Sequence, residues 1–309
     1  MFAILFALVF AYPAPQQPAK LGVLHVQGNV YLIYGAGSNV TMQVGDEAVV
    51  LVDSGPAELS EDIQHAIRTI SNKPIGFIIN TSADHDHTGG NENLAKGGVF
   101  MLQSANGTRP QASVVAHLNV LNGMTGRGDK TFVTAPASWP TDTYDSADWK
   151  LYANGEPLII EHPSAAHSDG DSIVFFRKSD VVSTGDIFDM TRYPVIDQRR
   201  GGTLQGILNG LNHILKDIAV ARSNEEGGTY IIPGHGRACD RNDLANYRDM
   251  LTIIRDRIQD MVKKGMTLEQ VKSARPTYDY DGGYGVDSGP WTTAMFVEAV
   301  YRELSRKDR

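Results

Sequence analysis

Four short polar turns constrain this chain more than anything else in its sequence. They read Ser82-Ala83-Asp84-His85-Asp86-His87-Thr88-Gly89-Gly90-Asn91, His167-Ser168-Asp169-Gly170-Asp171-Ser172, Thr184-Gly185-Asp186-Ile187-Phe188 and Pro233-Gly234-His235-Gly236. Each follows a β-like apolar run and contains glycine. Strand ends in α/β folds are where ligands bind. Histidine and carboxylate together are ligands for a borderline or hard ion such as zinc or ferrous iron. One Asp-His pair is a common surface or capping feature. Four such turns at strand ends are hard to produce by chance.

The rest of the chain supplies the strands and helices these turns need. Four short β-like runs, Gly22–Val26, Val30–Tyr34, Asn39–Val44 and Ala48–Val52, are separated by Gly, Asn and Asp, as hairpins require. A helical pattern covers Leu59–Ser71, with Ile63, Ile67 and Ile70 on one face. Ile75–Asn80 is apolar enough for a strand covered on both sides. Helices are expected at Asn91–Lys96, Gln111–Asn122, Leu204–Arg222, Asp240–Lys264, Thr267–Ser273 and Trp291–Leu304. Strands are expected at Gly98–Gln103, Lys150–Ala153, Leu158–His162, Ser172–Arg177, Asp180–Thr184 and Thr229–Pro233. Gly123–Ser146 is a long aperiodic stretch of the kind that often forms a functional loop. No repeat or low-complexity linker divides the chain. It therefore reads as one α/β domain over 20–309, ending in a helical extension.

Composition narrows the function classes. The 309 residues are 41% hydrophobic and 21% charged, which excludes a disordered chain, a fibrous repeat and a multi-span membrane protein. The net charge of −8 and the lack of a basic patch argue against nucleic acid as a partner. Met1–Ala11 is apolar throughout and too short for a bilayer span, which needs about 20 residues. It fits the core of a secretory signal peptide, although the basic start is missing. Residues 1–19 are thus read as signal and flexible lead-in, and the mature protein as periplasmic or secreted and not membrane-inserted. The alternative is a buried first strand. Cys239 is the lone cysteine, so no intramolecular disulfide forms.

The turns resemble those of the metallo-β-lactamase-fold hydrolases. That family's first motif, His-x-His-x-Asp-His, stands here as Ser82-Ala83-Asp84-His85-Asp86-His87, followed by Thr88-Gly89-Gly90-Asn91. The resemblance aligns His167, Asp186 and His235 with the later metal positions and Asp53 with a supporting carboxylate. It implies a four-layer αββα sandwich of two mixed β-sheets flanked by helices. It also implies metal positions at Asp84, Asp86, His87, His167, Asp186 and His235. One site, Asp86, His87, Asp186 and His235, is complete. The other has lost both leading histidines, to Ser82 and Asp84. It keeps His167, a share of Asp186 and, if it binds, Asp84. Flavodiiron proteins carry an acid at the Asp84 position but keep the first histidine. A one-zinc carbapenem-hydrolysing subclass lacks that histidine. This chain resembles neither in full.

The resulting expectation is a metal-dependent hydrolase acting on a small molecule: an ester, amide, lactone or phosphoester. Zinc is the expected ion, one or two per chain, with iron or manganese as alternatives. Asp86 would orient the attacking water. His167 would act as ligand, oxyanion donor or general acid. Arg192 and Tyr193, in the loop after Asp186, could hold a substrate carboxylate or phosphate. Competing readings are a β-lactam hydrolase, an iron-binding redox protein and a non-catalytic metal-binding relic. His85 reads as solvent-facing, His162 as structural, and Asp171 as either a turn support or a support for His167.

Overall fold

The computed structural model describes residues 21–101, 110–127, 133–221 and 227–307. The signal and lead-in expected before residue 20 lie outside these. Strands β1 to β7 (Gly22–Gln27, Val30–Ala36, Ser38–Val44, Val49–Val52, Ile75–Ile79, Ser113–His117, Asp142–Tyr144) form one sheet in sequential order. Its first four strands are antiparallel; β4 to β7 run parallel. Strands β8 to β12 (Asp148–Ala153, Glu156–Glu161, Ile173–Phe176, Val181–Ser183, Tyr230–Ile232) form the second sheet, with β12 added parallel to β11 at its edge.

The two-residue side-chain period of a strand explains the layers. In β4, Val50 and Val52 face the second sheet; Val49 and Leu51 face helices. The space between the sheets is filled by Leu32, Phe77, Ile79, Leu158, Ile160 and Phe176, among others. Helices α1 (Ser60–Arg68), α2 (His85–Thr88), α3 (Asn91–Lys96) and α4 (Leu118–Met124) come from the first half of the chain. Ile63 and Ile67 of α1 and Leu94 of α3 cover the outer face of the first sheet. Helices α5 (Leu204–His213), α6 (Arg241–Lys263), α7 (Leu268–Ser273), α8 (Asp281–Tyr284) and α9 (Thr293–Lys307) come from the second. Leu208, Leu211, Leu251, Ile254, Phe296 and Val300 pack on the outer face of the second sheet. The result is an α/β four-layer αββα sandwich. Among the described residues no helix is long and apolar enough to cross a membrane.

Several expected elements shift. Gln111–Asn122 is not one helix: its Ser113–His117 part is the buried parallel strand β6, and only Leu118–Met124 is helical. His117 ends the strand and caps the helix, accepting from the Asn119 N–H. The expected strand Gly98–Gln103 is irregular up to Met101, with the Val99 N–H donating to the Ile75 carbonyl; its last residues lie outside the description. Helix α1 stops at Arg68, leaving Ile70 exposed. Strand β7 lies inside the stretch expected to be aperiodic. Helix α5 continues as one π-helical turn over Ile214–Ile218. Asp240 caps α6 through a capping box, as its position suggests.

One buried carboxylate ties the two sheets together. Glu156 of β9, 1% exposed, accepts from Gln43 Nε2 of β3 at 2.7 Å. It also accepts from the Lys178 and Ser179 N–H groups and the Ser179 hydroxyl. Truncation would strand the buried Gln43 amide and Ser179 N–H and the part-buried Lys178 N–H, while the Ser179 hydroxyl keeps Asn29 as an acceptor. Glu156→Ala should therefore lower the unfolding free energy in urea by about 2–4 kcal/mol, and Glu156→Gln by about half as much. Equal stability of wild type and Glu156→Ala would show that water replaces the carboxylate there.

Candidate metal centre

All four polar turns lie at one edge of the sandwich, because the strands that precede them end there. Asp53, just after β4, is held in the left-handed region at φ 64°. Such a conformation costs a non-glycine residue about 1–3 kcal/mol and persists where surrounding structure fixes it. Here the Thr81 N–H and hydroxyl each donate to the Asp53 carboxylate at 2.7 Å. His87 Nδ1–H also donates to it at 2.7 Å. An ionised carboxylate only accepts, so Nδ1 carries a proton, and Nε2 is the nitrogen left to ligate an ion.

His235 is fixed in the same way. Its Nδ1–H donates to the Gly37 carbonyl at 3.0 Å, leaving Nε2 to face inward. His87 Nε2 lies 3.2 Å from Asp186 Oδ1; His235 Nε2 lies 3.3 Å from the same oxygen and 3.4 Å from Asp86 Oδ2. His87 Nε2 and Asp186 Oδ1 are buried and have no hydrogen-bond partner among the described residues. Buried polar atoms left this way cost about 1–3 kcal/mol each. Ligand atoms at zinc–nitrogen and zinc–oxygen distances, arranged tetrahedrally, are about 3.3 Å apart. The three spacings match that edge, and the unpaired atoms converge. Asp86, His87, Asp186 and His235 therefore fit a metal ion. The backbone is shaped to allow it: a Cβ on Gly234 would come within 2.3 Å of Asp186 Oδ1.

The neighbouring group is different. Asp84, His167 and Asp186 also bring one donor each within 4.8 Å of one another. But His167 Nε2 is only 2.7 Å from Asp84 Oδ2, a direct charge-assisted hydrogen bond. His167 Nδ1–H donates to the Val195 carbonyl at 2.9 Å. The other Asp84 oxygen accepts from Arg200, whose Nε–H donates to Asp197 at 2.7 Å. Burial alone would lower the His167 basicity, yet the Asp84 carboxylate outweighs it and lifts the imidazole to about 10. Burial pushes Asp84 up, and His167 with Arg200 overrides it, holding the carboxyl well below its usual range. Ser82 is buried, and its hydroxyl accepts from the Asp84 N–H at 3.2 Å.

Around these groups is a cavity of about 170 Å³ lined by Asp84, Asp86, His167, Asp186, His235, Asp189, Arg192 and Val195. Arg192 lies at its wall, Nε 3.4 Å from Asp189. Tyr193 does not, and its expected role in substrate binding is corrected. It is 1% exposed, stacks on Phe296, and its hydroxyl donates toward the Thr277 carbonyl and Asp281. Arg192 and Tyr193 lie in a bend, where Tyr193 takes the core side and Arg192 the cavity side. His85 faces solvent, 3.7 Å from Glu58. His162 stacks on His117 at 3.7 Å and donates to the Asp171 carbonyl. Asp171 accepts from the Ser168 N–H and hydroxyl, bracing the His167 turn, and burial raises its carboxyl to about 6. Trp291, Tyr280 and Tyr284 pack against the helical core. Sequence reasoning missed Arg200, Asp197 and Asp189 as neighbours of the site. Arg200 follows Asp84 by 116 positions, and no local spacing links them.

The sequence model of the metallo-beta-lactamase superfamily matches residues 26–235, more than half of the chain. No curated protein matches significantly in sequence. Among solved structures, the stereoselective inverting sec-alkylsulfatase Pisa1 from Pseudomonas sp. is similar with a TM-score of 0.66 at 16% identity, over 92% of this chain and 50% of that one. This chain thus spans half the length of that protein. The metallo-beta-lactamase from Pontibacter korlensis gives 0.57 at 16% identity, over 75% of this chain and 99% of that one. The DIM-1 metallo-beta-lactamase gives 0.55 at 16% identity, over 75% and 97%. At such identities these structures speak to fold, and their fold is the αββα sandwich found here. Motifs, layers and family match agree: the chain belongs to the metallo-β-lactamase superfamily.

Proposed function

We propose that this protein hydrolyses a small ester, amide, lactone or phosphoester with one zinc ion held by Asp86, His87, Asp186 and His235. The observation that carries the reading is the ligand-like spacing of 3.2–3.4 Å around two buried, unpaired atoms, His87 Nε2 and Asp186 Oδ1. Bound zinc would supply Lewis acidity and a water acidic enough to ionise near neutral pH. Iron or manganese would suit the two carboxylates as well.

The chain's own residues do the rest. Asp86 is the more solvent-accessible of the two site carboxylates and orients the attacking water or takes its proton. Arg192 presents a guanidinium at the cavity wall and favours a substrate with an anionic group. His167, with both ring nitrogens engaged by Asp84 and the Val195 carbonyl, lines the same cavity and favours developing negative charge through its own charge rather than through a hydrogen bond. The small cavity suits a small molecule. The apolar Met1–Ala11 run supports export to the periplasm or medium. A sulfate ester is a second substrate class, supported by the alkylsulfatase likeness, which covers 92% of this chain.

Two measurements test this. Protein grown with zinc should carry bound metal, and chelation or Asp86→Ala should return hydrolysis of a panel of esters, lactones, phosphoesters, sulfate esters and β-lactams to the background rate. Undiminished turnover after both treatments would exclude the reading. Asp53→Asn should lower zinc affinity by about 10–100-fold while the fold survives by circular dichroism, because carboxylates behind a ligating imidazole contribute that much. Unchanged affinity would mean that Asp53 serves the fold alone.

A further inference from the structure

Beside the four proposed ligands, the second half of the site is built as an ion pair. We infer that Arg200 takes the electrostatic place of a second metal ion, closing the Asp84–His167 half-site so that the protein binds a single ion. The inference rests on the reading that Asp86, His87, Asp186 and His235 hold the first.

The spacings separate the two halves. His87 Nε2 and His235 Nε2 stand 3.2 and 3.3 Å from Asp186 Oδ1, the distance between atoms that share an ion, and His87 Nε2 and Asp186 Oδ1 have no hydrogen-bond partner among the described residues. Asp84 Oδ2 and His167 Nε2 stand 2.7 Å apart, the distance between atoms that share a proton. Nothing is left over on either residue. His167 uses its second nitrogen on the Val195 carbonyl, and Asp84 uses its second oxygen on Arg200. For Asp84 and His167 to share an ion, their own hydrogen bond would have to open, and the ion would sit beside the fixed charge of Arg200.

Arg200 is not a surface side chain that drifted in. Its side chain is 11% exposed. Asp197 fixes it from behind by accepting from the Arg200 Nε–H at 2.7 Å and from the Arg199 and Arg200 N–H groups at 3.0 Å. The loop itself is bonded to the His167 turn: the Asp197 N–H donates to the His167 carbonyl at 2.9 Å, and the Asp169 N–H to the Arg200 carbonyl at 2.7 Å. Gly202 sits so close that a Cβ there would meet the His167 carbonyl oxygen at 2.1 Å. The guanidinium is thus held against Asp84 by the same backbone that positions His167. A planar fork between two carboxylates is the arrangement for which arginine is suited and lysine is not.

The test counts ions. Apo protein is titrated with zinc by calorimetry, and bound metal is measured after dialysis, for wild type, Arg200→Met, Arg200→Met with Asp84→Ala, and Asp86→Ala. Wild type should bind one ion and Arg200→Met two; the added Asp84→Ala should bring the count back to one. Cobalt substitution should show a second set of visible bands in Arg200→Met alone. Two ions on wild type, or one on a folded Arg200→Met, overturns the inference and leaves the four-residue site standing. No ion on wild type, with Asp86→Ala indistinguishable from it, instead overturns the four-residue reading and this inference with it. Should Arg200→Met not fold, Arg200→Gln takes its place: it keeps a polar side chain but not the charge, and is expected to admit a second ion. A count of one for a folded Arg200→Gln overturns the inference.

Discussion

The Asp53 carboxylate is the point on which the site depends. It stands in a left-handed backbone conformation at the end of β4 and accepts three hydrogen bonds from residues beyond β5. The two strands are parallel neighbours, so their ends arrive side by side. Asp53 uses that adjacency to pin the start of the next loop and to set the tautomer of its histidine. The consequence reaches the cavity: with Nδ1–H committed to Asp53, the buried Nε2 has no choice but to face Asp186.

Asp186 and His235 come from the other sheet, at the ends of β11 and β12, which are again parallel neighbours. The metal centre thus straddles the two sheets, and its geometry requires that the sheets keep register with each other. Packing between the layers provides most of this, and polar links near the site refine it. Thr41 of β3 donates to Ser183 of β11, and the Asn39 N–H of β3 donates to the Gly234 carbonyl beside His235. A close-packed core transmits strain, so side chains far from the cavity bear on the spacing of its ligands.

Much of this was legible in the sequence because it is local. The glycine-rich turns after short apolar runs mark the ends of strands, and the capping box at Asp240 marks the start of α6. Where the sequence misleads, a non-local fact decides. Ser113–His117 reads as part of a helix, yet it is buried between β5 and β7, and a parallel sheet outweighs helical spacing. Arg192 and Tyr193 look equivalent in the sequence; only the packing of α9 shows that Tyr193 belongs to the core and Arg192 to the cavity. The ion pair of Asp84 with Arg200 joins positions 116 apart, and nothing near either one signals the other.

That pair gives the altered motif a physical logic. A carboxylate in place of a neutral imidazole adds a negative charge to a site that already holds Asp86 and Asp186. Left alone in a buried position, such a charge is strongly unfavourable. A second metal ion would neutralise it, and so does Arg200, but the two solutions differ in kind. An ion brings open coordination positions and can exchange; a guanidinium bonded to Asp84 and Asp197 brings charge and hydrogen bonds and cannot leave. In place of Lewis acidity on that side, the chain has a rigid wall in which both His167 nitrogens are committed to Asp84 and Val195. Ser82 completes the set, since its hydroxyl supports the Asp84 backbone where a larger side chain would crowd a fully buried position.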